Sequence, residues 1–197
     1  MGHVPFCGLA VGTRPGLVMT PRPASERLVR TALDLVRGRP AVVVDVGTGS
    51  GALAVAIARG APEVRVWATD TSPAAVALAR ENVERHGLSA RVVVRQGDLL
   101  DPVPGPVDLV VANLPYLPVR ERWQHPDLVG EPADAVFTDC DGLGPYRRLL
   151  DAAEERLAPT GALVLQFRRS VLLARRNELG ALRARLEADA MFARKAA

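Results

Sequence analysis

Two groups of residues carry types and spacings that could do chemistry: Asn113-Leu114-Pro115-Tyr116 and Asp45-x-Gly47-x-Gly49-x-Gly51. In the first, the Asn113 side-chain oxygen and the carbonyl just before Pro115 are acceptors, suited to the two donors of a planar –NH2 group. Tyr116 can lie flat against the plane carrying that nitrogen, and such stacking on a base is worth ~1–3 kcal/mol. Holding both N–H bonds in plane leaves the nitrogen lone pair facing out of it. A weak nucleophile is then helped by orientation, with no strong general base needed beforehand. In the second group, glycines at alternate positions allow a tight turn and let backbone N–H groups approach a ligand without a Cβ in the way. Gly47-x-Gly49-x-x-Ala52 also satisfies the loose dinucleotide fingerprint, with Asp70 at the ribose-reading distance.

The flanking pattern states which elements must position these groups. Ala41-Val-Val-Val-Asp-Val46 reads as a buried parallel strand and Ala52-Leu-Ala-Val-Ala-Ile-Ala58 as a helix, so the glycines form a strand–loop–helix turn. Upstream, Met1 to Gly16 has no strong period and is expected as an irregular arm or short strands within an N-terminal arm of residues 1–23. Pro21 and Pro23 fix an extended entry, and Ser25 or Ala24 starts a helix bearing Glu26 in its first turn. Leu28, Val29, Ala32, Leu33 and Val36 keep helical spacing, and Gly38-Arg39-Pro40 ends it.

Downstream, residues 63–70 form a strand ending in Asp70, and Ser72-Pro73 opens a helix over 74–86 that stops at Gly87. Strands follow at 91–95 and 107–112, the second running into Asn113. Alternation of this kind specifies an α/β, doubly wound, mostly parallel sheet. In such sheets ligands bind at the carboxyl ends of the strands, which separates Asn-x-Pro-Tyr here from an ordinary turn. Residues 117–142 have no helical period and are expected as a long loop over the substrate crevice. A helix over 144–157, a turn at Thr160-Gly161 and a strand over 162–167 come next. A last helix runs from Ser170 through Leu172, Leu179, Leu182 and Leu186, and 191–197 is a short strand or tail.

The acid at the strand end and the three alternating glycines resemble the first motif of the S-adenosylmethionine-dependent methyltransferases of class I. The segment Asn113 to Tyr116 resembles the Asn/Asp-Pro-Pro-Tyr/Phe motif of members that methylate planar –NH2 groups. The wider chain is similar to the HemK-type protein glutamine-N5 methyltransferases, which act on release factors. Pro21-Arg22-Pro23-Ala24-Ser25-Glu26 is like their Pro-Arg-Pro-x-Thr-Glu. Glu131-Pro132, Asp141-Gly142-Leu143 and Tyr146-Arg147 are like their later Glu-Pro, Asp-Gly-Leu and Tyr-Arg.

The resemblance implies a Rossmann-like fold, S-adenosylmethionine as cofactor with S-adenosylhomocysteine as product, and a glutamine side chain of a release-factor-like protein as acceptor. Carried over by position, Gly47, Thr48, Gly49, Ser50 and Gly51 would wrap the methionine moiety, with Asp45 and Asn113 in the same set. Asp70 would hold the ribose, Asp98 and Leu99 the adenine, and Asn113, Leu114, Pro115 and Tyr116 the substrate nitrogen. Four departures stand out. Leu114 replaces the family's first proline. Gln166-Phe-Arg-Arg169 stands where Glu-x-Gly is usual. The N-terminal helical domain is expected to be absent, and the closing strand pair missing or reduced.

At 197 residues, one domain over the whole length is expected. The net charge of +3 hints weakly at anionic partners, since nearly all the basic residues are Arg and Lys195 alone is Lys. Cys7 and Cys140 read as free thiols, Cys140 held high by Asp139 and Asp141. No membrane span, signal peptide or metal-ligand spacing is present, so a cytoplasmic protein without a metal is expected. The alternative acceptor is a nucleic acid, through the exocyclic amine of a flipped adenine or guanine, with Arg169, Arg176 and Arg183 as a basic stripe on the last helix. A third alternative is a non-catalytic binder on a cofactor fold. His86, near a helix end, favours that dipole; His125 reads as solvent-exposed, with contact to substrate as the alternative; and Trp123 reads as a cover for the crevice when the loop closes. The oligomeric state has no signature here.

Overall fold

In the computed structural model the described residues are 2–138 and 142–166, together with the backbone of 183–187 and 190–194. The chain opens with an antiparallel hairpin of β1 (Gly2–Phe6) and β2 (Leu9–Thr13), so the first residues take the short-strand form of the two expected. A 3-10 turn at Pro23–Ser25 leads into α1 (Glu26–Val36). Then come β3 (Ala41–Val46), α2 (Ala52–Gly60), β4 (Val64–Asp70), α3 (Pro73–Arg85), β5 (Val92–Gln96) and β6 (Val107–Ala112). Ser72 caps α3 by accepting from the Ala75 N–H, with Pro73 behind it, and Gly87 ends the helix region at φ 66°.

Residues 117–138 are ordered into short pieces: β7 (Leu117–Pro118), 3-10 turns at Val119–Gln124 and Pro126–Leu128, α4 (Ala133–Val136) and β8 (Phe137–Thr138), which pairs in parallel with β7. The chain continues through α5 (Gly144–Arg156) and β9 (Leu157–Gln166) to β10 (Arg183–Glu187) and β11 (Ala190–Arg194).

Seven strands form the main sheet in the order β10-β11-β9-β6-β3-β4-β5. The pairs from β9 to β5 are parallel, and β11 joins β9 antiparallel. Alternate side chains sort the core into two layers. Val43, Val66, Ala68, Leu109 and Val111 pack with α1, α2 and α3, whereas Val44, Val46, Val110, Ala112, Leu163 and Leu165 pack with α5. This is the doubly wound α/β arrangement. The strand order reverses at β3, with β4 on one side and β6 on the other, so a crevice opens at the carboxyl ends of β3 and β6. No helix among the described residues is long and apolar enough to cross a membrane.

Two expectations fail at the C-terminal end. The closing strand pair is present as β10 and β11, with Met191 opposite Leu165 and Phe192 opposite Val164. Residues 183–187 of the expected last helix are therefore a strand. Arg183-Ala-Arg-Leu-Glu alternates polar and apolar at a period of two, and that pattern wins where a neighbouring strand is available to pair. The rest of that helix, with Leu172 to Leu182, and the residues Phe167 to Arg169, Cys140, Asp139, Asp141, Arg176 and Lys195 lie outside the described residues. β9 also starts earlier than expected, at Leu157, with a register shift against β6 between Val107 and Leu109.

Candidate functional site

The glycine loop closes on its own strand and on the next one. The N–H groups of Gly47 and Thr48 both donate to the Thr69 carbonyl at the end of β4, and Gly51 N–H donates to Thr48 O. All three glycines sit in the left-handed region, at φ 69°, 55° and 80°, which side chains bearing a Cβ rarely adopt. Space adds to that demand. A Cβ on Gly51 would lie 3.1 Å from Ala79 of α3, and one on Gly47 2.7 Å from Leu114 Cδ2.

Asp45 braces this loop from beneath. It is completely buried, and its Oδ2 accepts from Thr48 Oγ1 at 2.6 Å and from the Ala54 N–H at 3.1 Å. Its Oδ1 is buried with no hydrogen-bond partner among the described residues. Burial pushes the carboxyl up to about 7, against the pull of the Thr48 and Ala54 bonds, with nearby Asp70 adding to the rise. Asp70 holds the loop from the side. Its Oδ2 accepts from the Gly49 N–H at 2.9 Å and its Oδ1 from the Ser72 N–H at 2.9 Å. Burial raises its pKa as well, and the bonds from Ser72 and Gly49 oppose that.

The Asn113 to Tyr116 segment leaves β6 directly across the crevice. Its geometry is fixed from three sides. Tyr146 of α5 is buried, and its hydroxyl lies 2.9 Å from the Leu114 carbonyl and 2.7 Å from the Gln166 carbonyl. Burial drives its phenol well above the ordinary tyrosine value, so it stays a neutral donor. Gly142, at φ 78°, passes so close that a Cβ there would clash with the Tyr116 carbonyl oxygen. On the third side Asn113 Nδ2 donates to Ser25 Oγ at 3.0 Å, and Ser25 Oγ donates to Gln166 Oε1 at 3.1 Å. Ser25 stands at the N-cap position of α1 with Glu26 in the first turn, as expected, while its hydroxyl serves this hydrogen-bond chain and not a side-chain cap.

One cavity of about 520 Å³ joins the two groups, inside the range usual for small-molecule sites. Of the residues expected to bind, Gly47, Thr48, Gly49, Ser50, Asp70, Asp98, Leu99, Asn113, Leu114, Pro115 and Tyr116 border it. Asp45 and Gly51 do not: they shape the loop rather than face the cavity. The fit to an S-adenosylmethionine-sized ligand rests on this donor set. Positive-φ glycines bare their backbone at the end of β3, and a carboxylate at the end of β4 suits ribose hydroxyls. The Asp98-Leu99 turn lies beside β5, with Leu99 itself at φ 45° and its carbonyl accepting from Thr69 Oγ1. The Asp98 carboxylate is also engaged by the Arg148 guanidinium.

Several contributors went unrecognised in the sequence. Ser25 was visible as a helix start and as part of a similar segment, Tyr146 only as part of a similar segment, and Gln166 only as a departure. Nothing in their own types or spacing assigns them to hold Asn113 or Leu114, because each acts across a gap of 20 to 141 residues. His125 borders the cavity and is only partly exposed, which is the substrate-side placement of the two weighed for it, whereas Trp123 is 80% exposed and does not border the cavity in this conformation. Arg183 lies on a strand, so it does not extend a helical basic stripe with Arg169 and Arg176.

Comparison with known proteins bears on the family and the fold. The family model described as "Methyltransferase small domain" matches residues 23–125, just over half of the chain. A release factor glutamine methyltransferase of Gloeobacter violaceus is 42% identical over 176 residues, covering 84% of this chain and 62% of the relative. One from Moorella thermoacetica is 42% identical over 169 residues, with 84% and 59% covered. The chain thus spans about three fifths of the length of these curated relatives. Among solved structures, the T. thermophilus 16S rRNA N2 G1207 methyltransferase, in complex with AdoMet and guanosine, shares the fold. Its TM-score is 0.67 at 21% identity, over 98% of this chain and 50% of that one. The glycine loop, the acid on the neighbouring strand and the Asn-x-Pro-Tyr segment all fall within the matched span, and the chain belongs to the methyltransferase small domain family, as a class I methyltransferase domain of the HemK type.

Proposed function

We propose that this chain transfers a methyl group from S-adenosylmethionine to the side-chain amide nitrogen of a glutamine in a protein of the release-factor kind. The observation that carries this reading is the pair Asn113 and Leu114, which both border the cavity and each keep acceptor capacity beyond the bonds they make. Asn113 donates through Nδ2 to Ser25, which leaves Oδ1 as its acceptor toward the cavity. The Leu114 carbonyl takes one bond from Tyr146 and keeps its second lone pair. Two acceptors on consecutive residues suit a group with two N–H donors and disfavour one with none. The names of the relatives support a glutamine as the bearer of that group.

When bound, the cofactor supplies an electrophilic methyl carbon on sulfur. Asp70 and the glycine loop fix its position, and the cavity wall does the rest. Asn113 and Leu114 hold the amide nitrogen in one plane and turn its lone pair out of that plane, toward the glycine loop. Tyr116 stacks against the carboxamide. An amide nitrogen is a poor nucleophile, so orientation and exclusion of water carry the acceleration. The new N–C bond forms as the methyl–sulfur bond breaks, and the departing proton, held until then in a hydrogen bond to one of the two acceptors, passes to solvent afterwards.

Calorimetric titration with S-adenosylmethionine tests the foundation of this reading. Wild type binds saturably, and Asp70→Ala weakens binding by about 10- to 100-fold, the worth of a charged hydrogen-bond acceptor. A folded wild type that binds neither S-adenosylmethionine nor S-adenosylhomocysteine overturns it.

A further inference from the structure

Asn113 serves the proposed reaction only if its oxygen, rather than its –NH2 group, faces the acceptor. A side-chain amide has no intrinsic preference between the two orientations, since they differ by a half-turn about one bond. What sets the choice is the far end of a short hydrogen-bond chain. Ser25 Oγ has one proton. It gives that proton to Gln166 Oε1 and must then accept from Asn113 Nδ2, which commits Asn113 Oδ1 to the cavity. Ser25 is 5% exposed and Gln166 9%, so water does not readily scramble the order. Both belong to elements apart from the Asn113 segment: Ser25 to the turn before α1, and Gln166 to the end of β9.

Gln166 is itself an amide, and its Nε2 has no partner among the described residues. If Gln166 turns over, Nε2 donates to Ser25, Ser25 donates to Asn113 Oδ1, and Asn113 presents Nδ2 to the cavity. The same three residues then offer a donor where they had offered an acceptor. A carboxylate at position 166 accepts only and permits a single direction.

We infer that Ser25 and Gln166 are positioning residues that set the hydrogen-bond polarity of Asn113, and that Gln166, being reversible, determines how strictly the site separates a carboxamide from a carboxylate acceptor. The inference rests on the proposed carboxamide reading for its consequence, but the relay itself is a property of the protein alone.

Two measurements separate these levels. The first follows the side-chain amide 1H–15N signals of Asn113 and Gln166 in the folded, acceptor-free protein. Ser25→Ala moves both pairs, Ser25→Thr leaves both near their wild-type positions, and Gln166→Glu leaves the Asn113 pair hydrogen-bonded. Asn113 signals unmoved by Ser25→Ala overturn the relay. The second measures methyl transfer to a glutamine-containing peptide, with the same peptide carrying glutamate as inhibitor. Ser25→Ala lowers kcat at least tenfold while the Kd for S-adenosylmethionine stays within twofold, and Ser25→Thr restores kcat. Gln166→Glu keeps kcat at or above wild type and weakens inhibition by the glutamate peptide at least fivefold. Equal inhibition of wild type and Gln166→Glu overturns the reversible role of Gln166. Absence of methyl transfer by wild type counts against the carboxamide reading, and the spectroscopic result still decides the relay.

Discussion

At the scale of single residues, the site divides into groups that face the cavity and groups that hold them. Asp45 is the clearest of the second kind, because its charge is costly where it sits. Its folded pKa near 7 lies above the ordinary value of 3.8, so the native state retains a proton that the unfolded chain releases. Its contribution to stability is therefore fully present below about pH 4 and is lost as pH rises through about 7. Urea denaturation of wild type and Asp45→Asn from pH 5 to pH 8 should show wild type losing on the order of 2–4 kcal/mol relative to the variant. Parallel pH profiles would contradict the assignment. Tyr146 supplies a second case. Tyr146→Phe removes the single hydroxyl proton shared by the buried Leu114 and Gln166 carbonyls, which should cost about 1–3 kcal/mol of stability. The same change should lower kcat more than it alters the affinity for S-adenosylmethionine, since the Leu114 carbonyl is loosened and Asp70 is untouched.

At the scale of elements, the legibility of the fold followed the strength of local pattern. The strand–glycine loop–helix turn from Ala41 to Ala58 could be read to within a residue or two, because a run of valines, three glycines and an alanine-rich helix leave little choice. β10 was misread as helix. Leu179, Leu182 and Leu186 share a spacing that a helix also favours, and only the edge of β9 with β11 on it decides for a strand. Residues 117–138 looked structureless because their short turns follow no long period. They are ordered instead by tertiary contacts, such as Glu131 Oε2 accepting from the Thr20 N–H at 3.0 Å and Leu117, Leu128, Val136 and Phe137 packing together. Candidate site residues on the main strands were legible for the same reason that those strands were. Ser25, Tyr146 and Gln166 were not, because a partner 20 or more residues away leaves no trace in local spacing. One element junction yields a sharp expectation. Gly142→Ala places a Cβ against the Tyr116 carbonyl at a backbone angle that alanine resists, so the Tyr116 segment must shift. Its kcat should fall by at least tenfold with S-adenosylmethionine binding retained within a few-fold. Unchanged kcat would show that the position of Tyr116 is not needed.

At the scale of the whole molecule, the reversal of strand order between β4 and β6 explains why two motifs separated by more than sixty residues meet in one cavity. β3 delivers the glycine loop, β4 Asp70 and β6 the Asn113 to Tyr116 segment, each at its carboxyl end. α5 and β9 then brace the β6 exit through Tyr146 and Gln166. The division predicts that cofactor binding and acceptor orientation fail separately: Asp70→Ala should weaken affinity for the methyl donor by about 10- to 100-fold, and Asn113→Ala should spare it. The central claim is that this wall aligns a carboxamide nitrogen with a donated methyl. Its most direct test is incubation of the chain with isotopically labelled S-adenosylmethionine and a glutamine-containing peptide, the modified atom being located by fragmentation mass spectrometry. The account predicts label on the glutamine side-chain nitrogen with wild type and none with Asn113→Ala. Label found only on an aromatic or nucleobase amine, or on no acceptor despite proven cofactor binding, would contradict it.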